Sequence, residues 1–236
     1  MQFTRRALFG GAVVLPSLAQ TRKLKIVVAG GHPGDPEYGC GGTVARYSSS
    51  GHDVVLLYLN RGQKTCPDPD PEANPRVAEA RKACEILHAR AAFASQCDAN
   101  AVVDRAHYDE FRAMLAAEKP DALFTHWPLD NHPDHRAISN LAYDAWNKLG
   151  RGFALFFYEV SDGEDTQMFR PDSYVDITSV EPVKRAACYA HASQSPDRYY
   201  ALQTQVARFR GLESGYALAE AFAHHPRFRG ANLLPL

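Results

Sequence analysis

At 236 residues and 45% hydrophobic content, the chain is long enough for one domain with a sizeable core. A formal net charge of -1 excludes the basic footprint of a nucleic-acid or anionic-membrane binder. Past residue 20 no apolar run is long enough to span a bilayer.

Residues 1–20, MQFTRRALFGGAVVLPSLAQ, place Arg5-Arg6 before an apolar run and end in small residues. This is the pattern of an export signal of the twin-arginine type, which leaves 21–236 as the folded domain and predicts an exported, periplasmic or extracellular protein. The segment from Lys23 to Gly30 is β-branched and apolar, a buried strand. A Gly/Pro loop, GGHPGDPEYGCGG, follows, then a helix from Gly42 to Ser50 and a second buried strand from Asp53 to Asn60. Arg61 to Pro75 reads as a loop and Pro75 to Leu87 as a helix. A short strand at Ala91 to Phe93 and a helix from Tyr108 to Glu118 come next. Asp121 to Trp127 is a strand that runs into the His-rich loop Leu129 to His135, with a helix from Ala137 to Leu149 behind it. Phe153 to Val160 and Tyr174 to Ile177 read as strands, Glu181 to Ala192 and Tyr200 to Phe222 as helices. Strands alternating with helices, and strands apolar along their length, predict the α/β class with a mostly parallel sheet covered on both faces.

Open sheets of this kind bind ligands beyond the carboxyl ends of their strands. Two such ends carry dense polar residues: His32-Pro33-Gly34-Asp35-Pro36-Glu37, and Asn131-His132-Pro133-Asp134-His135. Together they bring His32, Asp35, His132, Asp134 and His135 to one sheet edge. Imidazole with carboxylate suits Zn²⁺ and other divalent transition metals, and a metal there activates water for hydrolysis. A dinucleotide loop is disfavoured: position 29 is Ala where GxGxxG needs Gly, and the second strand ends in Asn60, not an acid. The cysteines, Cys40, Cys66, Cys84, Cys97 and Cys188, match no zinc spacing, and their odd number leaves at least one thiol unpaired.

These motifs resemble the LmbE-like (PIG-L) metal-dependent de-N-acetylases. The resemblance rests on His-Pro-x-Asp with GCGGT at 30–43, GHDVVLLYLNRG at 51–62, and Arg76-x-x-Glu79-Ala80. It continues through His132-Pro133-Asp134-His135, Lys184-x-x-Ala187, His191-x-Ser193-Gln194 and Ala219-Glu220-Ala221-Phe222. It implies a Rossmann-like three-layer sandwich and removal of an N-acetyl group from an amino sugar or glycoconjugate. By position it implies His32, Asp35 and His135 as metal ligands. It also implies His132, as imidazolium, as the oxyanion stabiliser, with Asp134 orienting it. Asn60 and Arg61 at the mouth of the second strand, Arg76 and His191 are candidate substrate contacts. A helix-surface ion pair between Arg76 and Glu79, at i,i+3, is the other reading of Arg76. Lys184 reads as packing, Trp127 and Trp146 as core or pocket wall, His224 and His225 as surface. The partners implied are a small-molecule or glycan substrate, with an oligomer open.

One position departs from the family. The pattern is His-Pro-Asp-Asp, whose first Asp is the general base, and here that position is Gly34. General-base assistance contributes about 10² to 10⁴ in rate. Another carboxylate can take the role, Glu37 or Asp134 being nearest. Metal-activated hydroxide can suffice for an easier substrate. Or hydrolysis has been lost, leaving a metal- and sugar-binding relative. If the base is simply missing, Gly34→Asp raises hydrolysis.

Overall fold

The computed structural model describes residues 22–63, 65–160 and 166–226; the export signal predicted at 1–20 lies outside them. Seven strands form one sheet: β1 (Lys25–Gly30), β2 (Asp53–Asn60), β3 (Arg90–Gln96), β4 (Ala122–His126), β5 (Ala154–Tyr158), β6 (Ser173–Asp176) and β7 (Ala219–His224). Six α-helices accompany it: α1 (Asp35–Ser49), α2 (Pro75–Ile86), α3 (Arg105–Glu118), α4 (Pro133–Lys148), α5 (Glu181–Tyr189) and α6 (Pro196–Ser214). The strand order is β3-β2-β1-β4-β5-β7-β6; β1 to β5 are parallel and β7 runs antiparallel to both its neighbours.

Alternate residues of the central strands feed two separate cores, as the period of two in a strand requires. Ile26, Val28, Leu56, Phe124 and Phe156 pack with Val44, Ala80 and Ala187 of α1, α2 and α5. Val27, Val55, Leu57, Leu123 and Leu155 pack with Phe111, Leu115, Ile138 and Trp146 of α3 and α4. The result is the predicted three-layer α/β sandwich. The order of winding reverses at β1 and β4, neighbouring parallel strands from which the chain runs outward to opposite edges of the sheet. That junction is the topological switch point, where such sheets take their ligands.

Two readings of the sequence are corrected. The span from Tyr200 to Phe222 is not one helix. α6 stops at Ser214, where Gly215 adopts φ 82° and donates its N–H to Gly211 O, and Ala219–His224 is then a buried strand. The alanines of AEAFAH suggest helix, but insertion between β5 and β6 overrides their propensity. α1 starts at Asp35 rather than Gly42, with Pro36 in its first turn and Asp35 and Glu37 at its positive end. Gly39 and Gly41, which read as loop, lie inside this helix. A Cβ on Gly42 would stand 2.5 Å from Ile177 Cγ2, so glycine is what lets α1 approach the segment after β6.

Buried polar groups lock the same region. Glu220 on β7 accepts from Gly42 N (2.8 Å), Thr43 N (2.7 Å), Thr43 Oγ1 (2.6 Å) and Lys184 Nζ (2.6 Å). Lys184 is thus a buried ion-pair partner rather than apolar packing alone. Cys66 and Cys97 form a disulfide, while Cys40, Cys84 and Cys188 are free and buried. Trp146 is core, with its indole N–H on Phe153 O. His225, read as surface, packs its ring 4.5 Å from that of Trp146.

Candidate active site

β1 and β4 end beside each other, so the loops that follow them meet. Asp35, at the start of α1, is the centre of the cluster. Its Oδ2 accepts the His32 N–H (2.7 Å) and lies 3.1 Å from His32 Nδ1, 3.2 Å from His135 Nε2 and 3.2 Å from His126 Nε2. Ligand atoms 2.0–2.1 Å from a tetrahedral zinc would stand about 3.3 Å apart. These separations match that spacing.

Three further carboxylates surround this centre. Asp134, fully buried in the first turn of α4, accepts from His32 Nε2 (3.0 Å), Asn60 Nδ2 (3.1 Å), Ala99 N (2.8 Å) and Ala101 N (3.2 Å). Asp98 lies 3.1 Å from His32 Nε2 through one oxygen and 3.6 Å from Arg76 Nη1 through the other. Asp130 holds His135 Nδ1 (3.1 Å) and the His132 N–H (2.8 Å). These partners fix the orientation of the imidazoles, as outer-shell groups do around metal ligands.

The electrostatics follow from the crowding. Burial opposes charge on His32, but Asp35, Asp134 and Asp98 outweigh it and raise its pKa well above the ordinary value. His135 is likewise opposed by burial and raised to about 9 by Asp35 and Asp130. Burial would raise Asp35; His135 and His32 instead hold it well below the carboxylate range. His126 goes the other way: burial and the adjacent His135 lower it to about 4. His132 is lowered too, by burial and by the charges of His32 and His135.

The donor set fits a divalent cation. Asp35, Asp98, Asp130 and Asp134 converge here, and Arg76 is the permanent cation among the described residues that line the cavity. Protons on His32 and His135 offset that negative charge in the metal-free chain, and a dication would replace them. His126 Nε2 accepts the Gly31 N–H (3.2 Å) and faces Asp35 Oδ2 at 3.2 Å. Three overlapping groups place one ligand atom per residue within 4.8 Å of one another: His32, His132 and His135; Asp35, His126 and His135; His32, Asp98 and Asp134. The triad His32, Asp35 and His135 is spread over the first two.

A cavity of about 320 Å³ opens over the cluster. His32, Asp35, His132, His135, Arg76 and His191 line it. Other sequence-predicted residues sit elsewhere. Asn60 is fully buried and holds Asp134, while Arg61 reaches Ala94 O (3.0 Å) and stacks over Phe93; neither lines the cavity. Asp134 meets His32 through its side chain and His132 only through its backbone N–H. Glu37 is fully buried behind the cavity wall, its Oε1 accepting from Tyr58 OH (2.7 Å) and facing His191 Nε2 (3.0 Å). Arg76 does not pair with Glu79: it donates to Pro33 O (3.0 Å), and Glu79 accepts from Ser193 N and Oγ (2.8 Å each). His126, Asp98 and Asp130 were missed. His126 is the last residue of a strand aimed at the site, and Asp130 lies in the His-rich loop itself, both readable signals; Asp98 lies in a loop without a motif of its own.

His132 caps α4, and its Nδ1 accepts the Asp134 N–H (3.2 Å). The ring proton therefore sits on Nε2. With its pKa lowered, His132 is a neutral N–H donor at pH 7, not the imidazolium expected from sequence. A dication at the cluster pushes it the same way.

Known proteins share this sequence pattern and fold. The chain is 27% identical over 222 residues to the diacetylchitobiose deacetylase of Thermococcus kodakarensis, covering 86% of this chain and 83% of that protein. A conserved protein of Thermus thermophilus superposes with a TM-score of 0.74 at 27% identity, covering 90% of this chain and 97% of the other. The N,N'-diacetylchitobiose deacetylase of Pyrococcus horikoshii shares the fold with a TM-score of 0.73 at 24% identity, over 86% and 84% of the two chains. Residues 27–146, which hold both histidine loops and the strands between them, match the family model for GlcNAc-PI de-N-acetylase, and the chain belongs to that PIG-L family.

Proposed function

We propose that the protein is a metal-dependent N-deacetylase that hydrolyses the acetamide of an N-acetylated amino sugar or glycoconjugate, with Zn²⁺ as the working metal. The observation that carries this reading is the cluster at the sheet's switch point, where buried imidazoles and carboxylates converge beneath a cavity sized for a small ligand. A relative matched along most of the chain is a diacetylchitobiose deacetylase, which supports the substrate class. The Cys66–Cys97 disulfide supports action after export, because such bonds persist in oxidising compartments.

His32, Asp35 and His135 would hold the ion, with His126 packed beside Asp35. The bound ion supplies Lewis acidity toward the carbonyl and a more acidic water. The remaining work belongs to the chain. His132 presents its neutral Nε2–H to the carbonyl oxygen and stabilises the charge that develops there, as neutral imidazole does when a helix N-terminus keeps it unprotonated. Asp130 and Asp134 keep His135 and His32 in their rotamers and tautomers. Arg76, fixed over Pro33 O, lines the cavity with donors for sugar hydroxyls.

The test is release of amine and acetate from N-acetylated sugars, including N,N'-diacetylchitobiose, by protein stripped of metal and reloaded with Zn²⁺. Release that requires metal and disappears in His135→Ala is the expected result. Binding of one metal per chain with no release across the panel would favour the sugar-binding alternative.

A further inference from the structure

Gly34 leaves the site without the family's aspartate, and the structure shows what stands beside the gap. A Cβ built at position 34 would lie 3.9 Å from His191 Cγ, so the imidazole is within side-chain reach of the place an aspartate would fill. His191 lines the cavity and is otherwise fully buried. Its Nε2 lies 3.0 Å from Glu37 Oε1, and its Nδ1 is buried with no hydrogen-bond partner. Donation from Nε2 to Glu37 leaves the lone pair on Nδ1. Tyr58 OH holds the same Glu37 oxygen at 2.7 Å and fixes the carboxyl group in turn.

The other polar groups near the cavity are already committed or unsuited. Asp134 has four donors on it, and the two oxygens of Asp98 face His32 and Arg76. Glu37 does not reach the cavity. Tyr38 OH is buried and unpartnered, but burial pushes its phenol above the ordinary value, so it remains protonated.

We propose that His191 is the general base of this enzyme, in place of the aspartate missing at position 34, with Glu37 as its positioning residue. This inference rests on the deacetylase reading above. A water oxygen bonds to the acetamide carbonyl carbon, and one water proton passes to His191 Nδ1. The C–N bond then breaks, its electron pair stays on nitrogen, and His191 returns the proton to that nitrogen. The products are the free amine and acetic acid, which ionises in solvent. Glu37 holds Nε2–H throughout, the role a buried carboxylate plays for a histidine base in a catalytic triad.

The experiment compares wild type, His191→Gln, His191→Ala and His135→Ala on the substrate that wild type deacetylates, with metal content measured on each. His191→Gln preserves a donor toward Glu37 and the volume of the ring, so it keeps the fold. It is expected to lower kcat by about 10² to 10⁴, with KM within a few-fold and one metal per chain. Imidazole added to His191→Ala is expected to restore part of the rate in a saturable way. Glu37→Gln is expected to lower kcat less than His191→Gln does, with KM unchanged. An unchanged kcat in His191→Gln, a rise in KM alone, or loss of the metal would overturn the assignment while leaving the deacetylase reading intact. A metal-loaded wild type that releases no amine overturns both.

Discussion

His132 illustrates how one hydrogen bond sets a chemical role. Acceptance of the Asp134 N–H at Nδ1 leaves Nε2–H as its donor, and His132→Ala should lower kcat by about 10² to 10³ while metal content stays at one per chain. Steady-state kinetics with metal analysis checks this. Gly34 adopts φ 114°, a conformation that side chains rarely occupy. Gly34→Asp therefore does not simply restore a base, as the sequence suggested. It should cost about 1–3 kcal/mol of stability and leave kcat no higher, measured by denaturant unfolding and turnover. His135 makes metal uptake pH-dependent. Its pKa is raised to about 9 in the metal-free chain, so near pH 7 it carries a proton that a ligand must shed. Zinc binding at pH 7 should release protons, seen as a buffer-dependent enthalpy in calorimetry, and affinity should fall as pH drops. The same shift has a sign for stability. A raised pKa stabilises the metal-free fold fully below about 6.5, and that contribution is lost as pH rises through about 9. The two histidine motifs were legible because HPxD and HPDH carry their ligands at fixed spacing. The roles of Asn60 and Asp134 were not, since a residue one layer behind a ligand looks the same in sequence as one that touches substrate.

At the level of elements, the informative case is the junction of α1, α5 and β7. Lys184→Met would leave Glu220 buried without its cation and should destabilise by about 3–5 kcal/mol, with KM unchanged because Lys184 does not line the cavity. Chemical denaturation beside steady-state kinetics separates the two effects. Sequence patterning placed the parallel strands correctly, since β1, β2, β4 and β5 each carry an apolar run and are buried at nearly every position. It failed at β7, where alanines beside a long helix look helical and the deciding fact, insertion between two strands, is nonlocal. It also failed at the start of α1, because glycines that permit close helix packing resemble loop glycines when read alone.

Over the whole molecule, the disulfide Cys66–Cys97 ties the loop before α2 to the loop that supplies Asp98, across a sequence separation of 31. Closing a loop of that length contributes about 3–4 kcal/mol on the chain-entropy model, or roughly 6–16 °C in Tm for a domain of this size. Replacing both cysteines with serine should lower the melting temperature by that order, as calorimetry would show. The fold class and the sheet edge that bears the site followed from the order of strands and helices. The antiparallel β7, and with it the true path of the chain's last elements, did not. That path carries a consequence for how the protein is made. Glu220, on the last described strand, supplies the acceptors that hold the N–H groups of Gly42 and Thr43, about two turns beyond the ligand-bearing start of α1. During synthesis the ribosome delivers the first histidine motif nearly two hundred residues before the strand that clamps its helix. A nascent chain therefore exposes metal-binding side chains long before it can hold them in register.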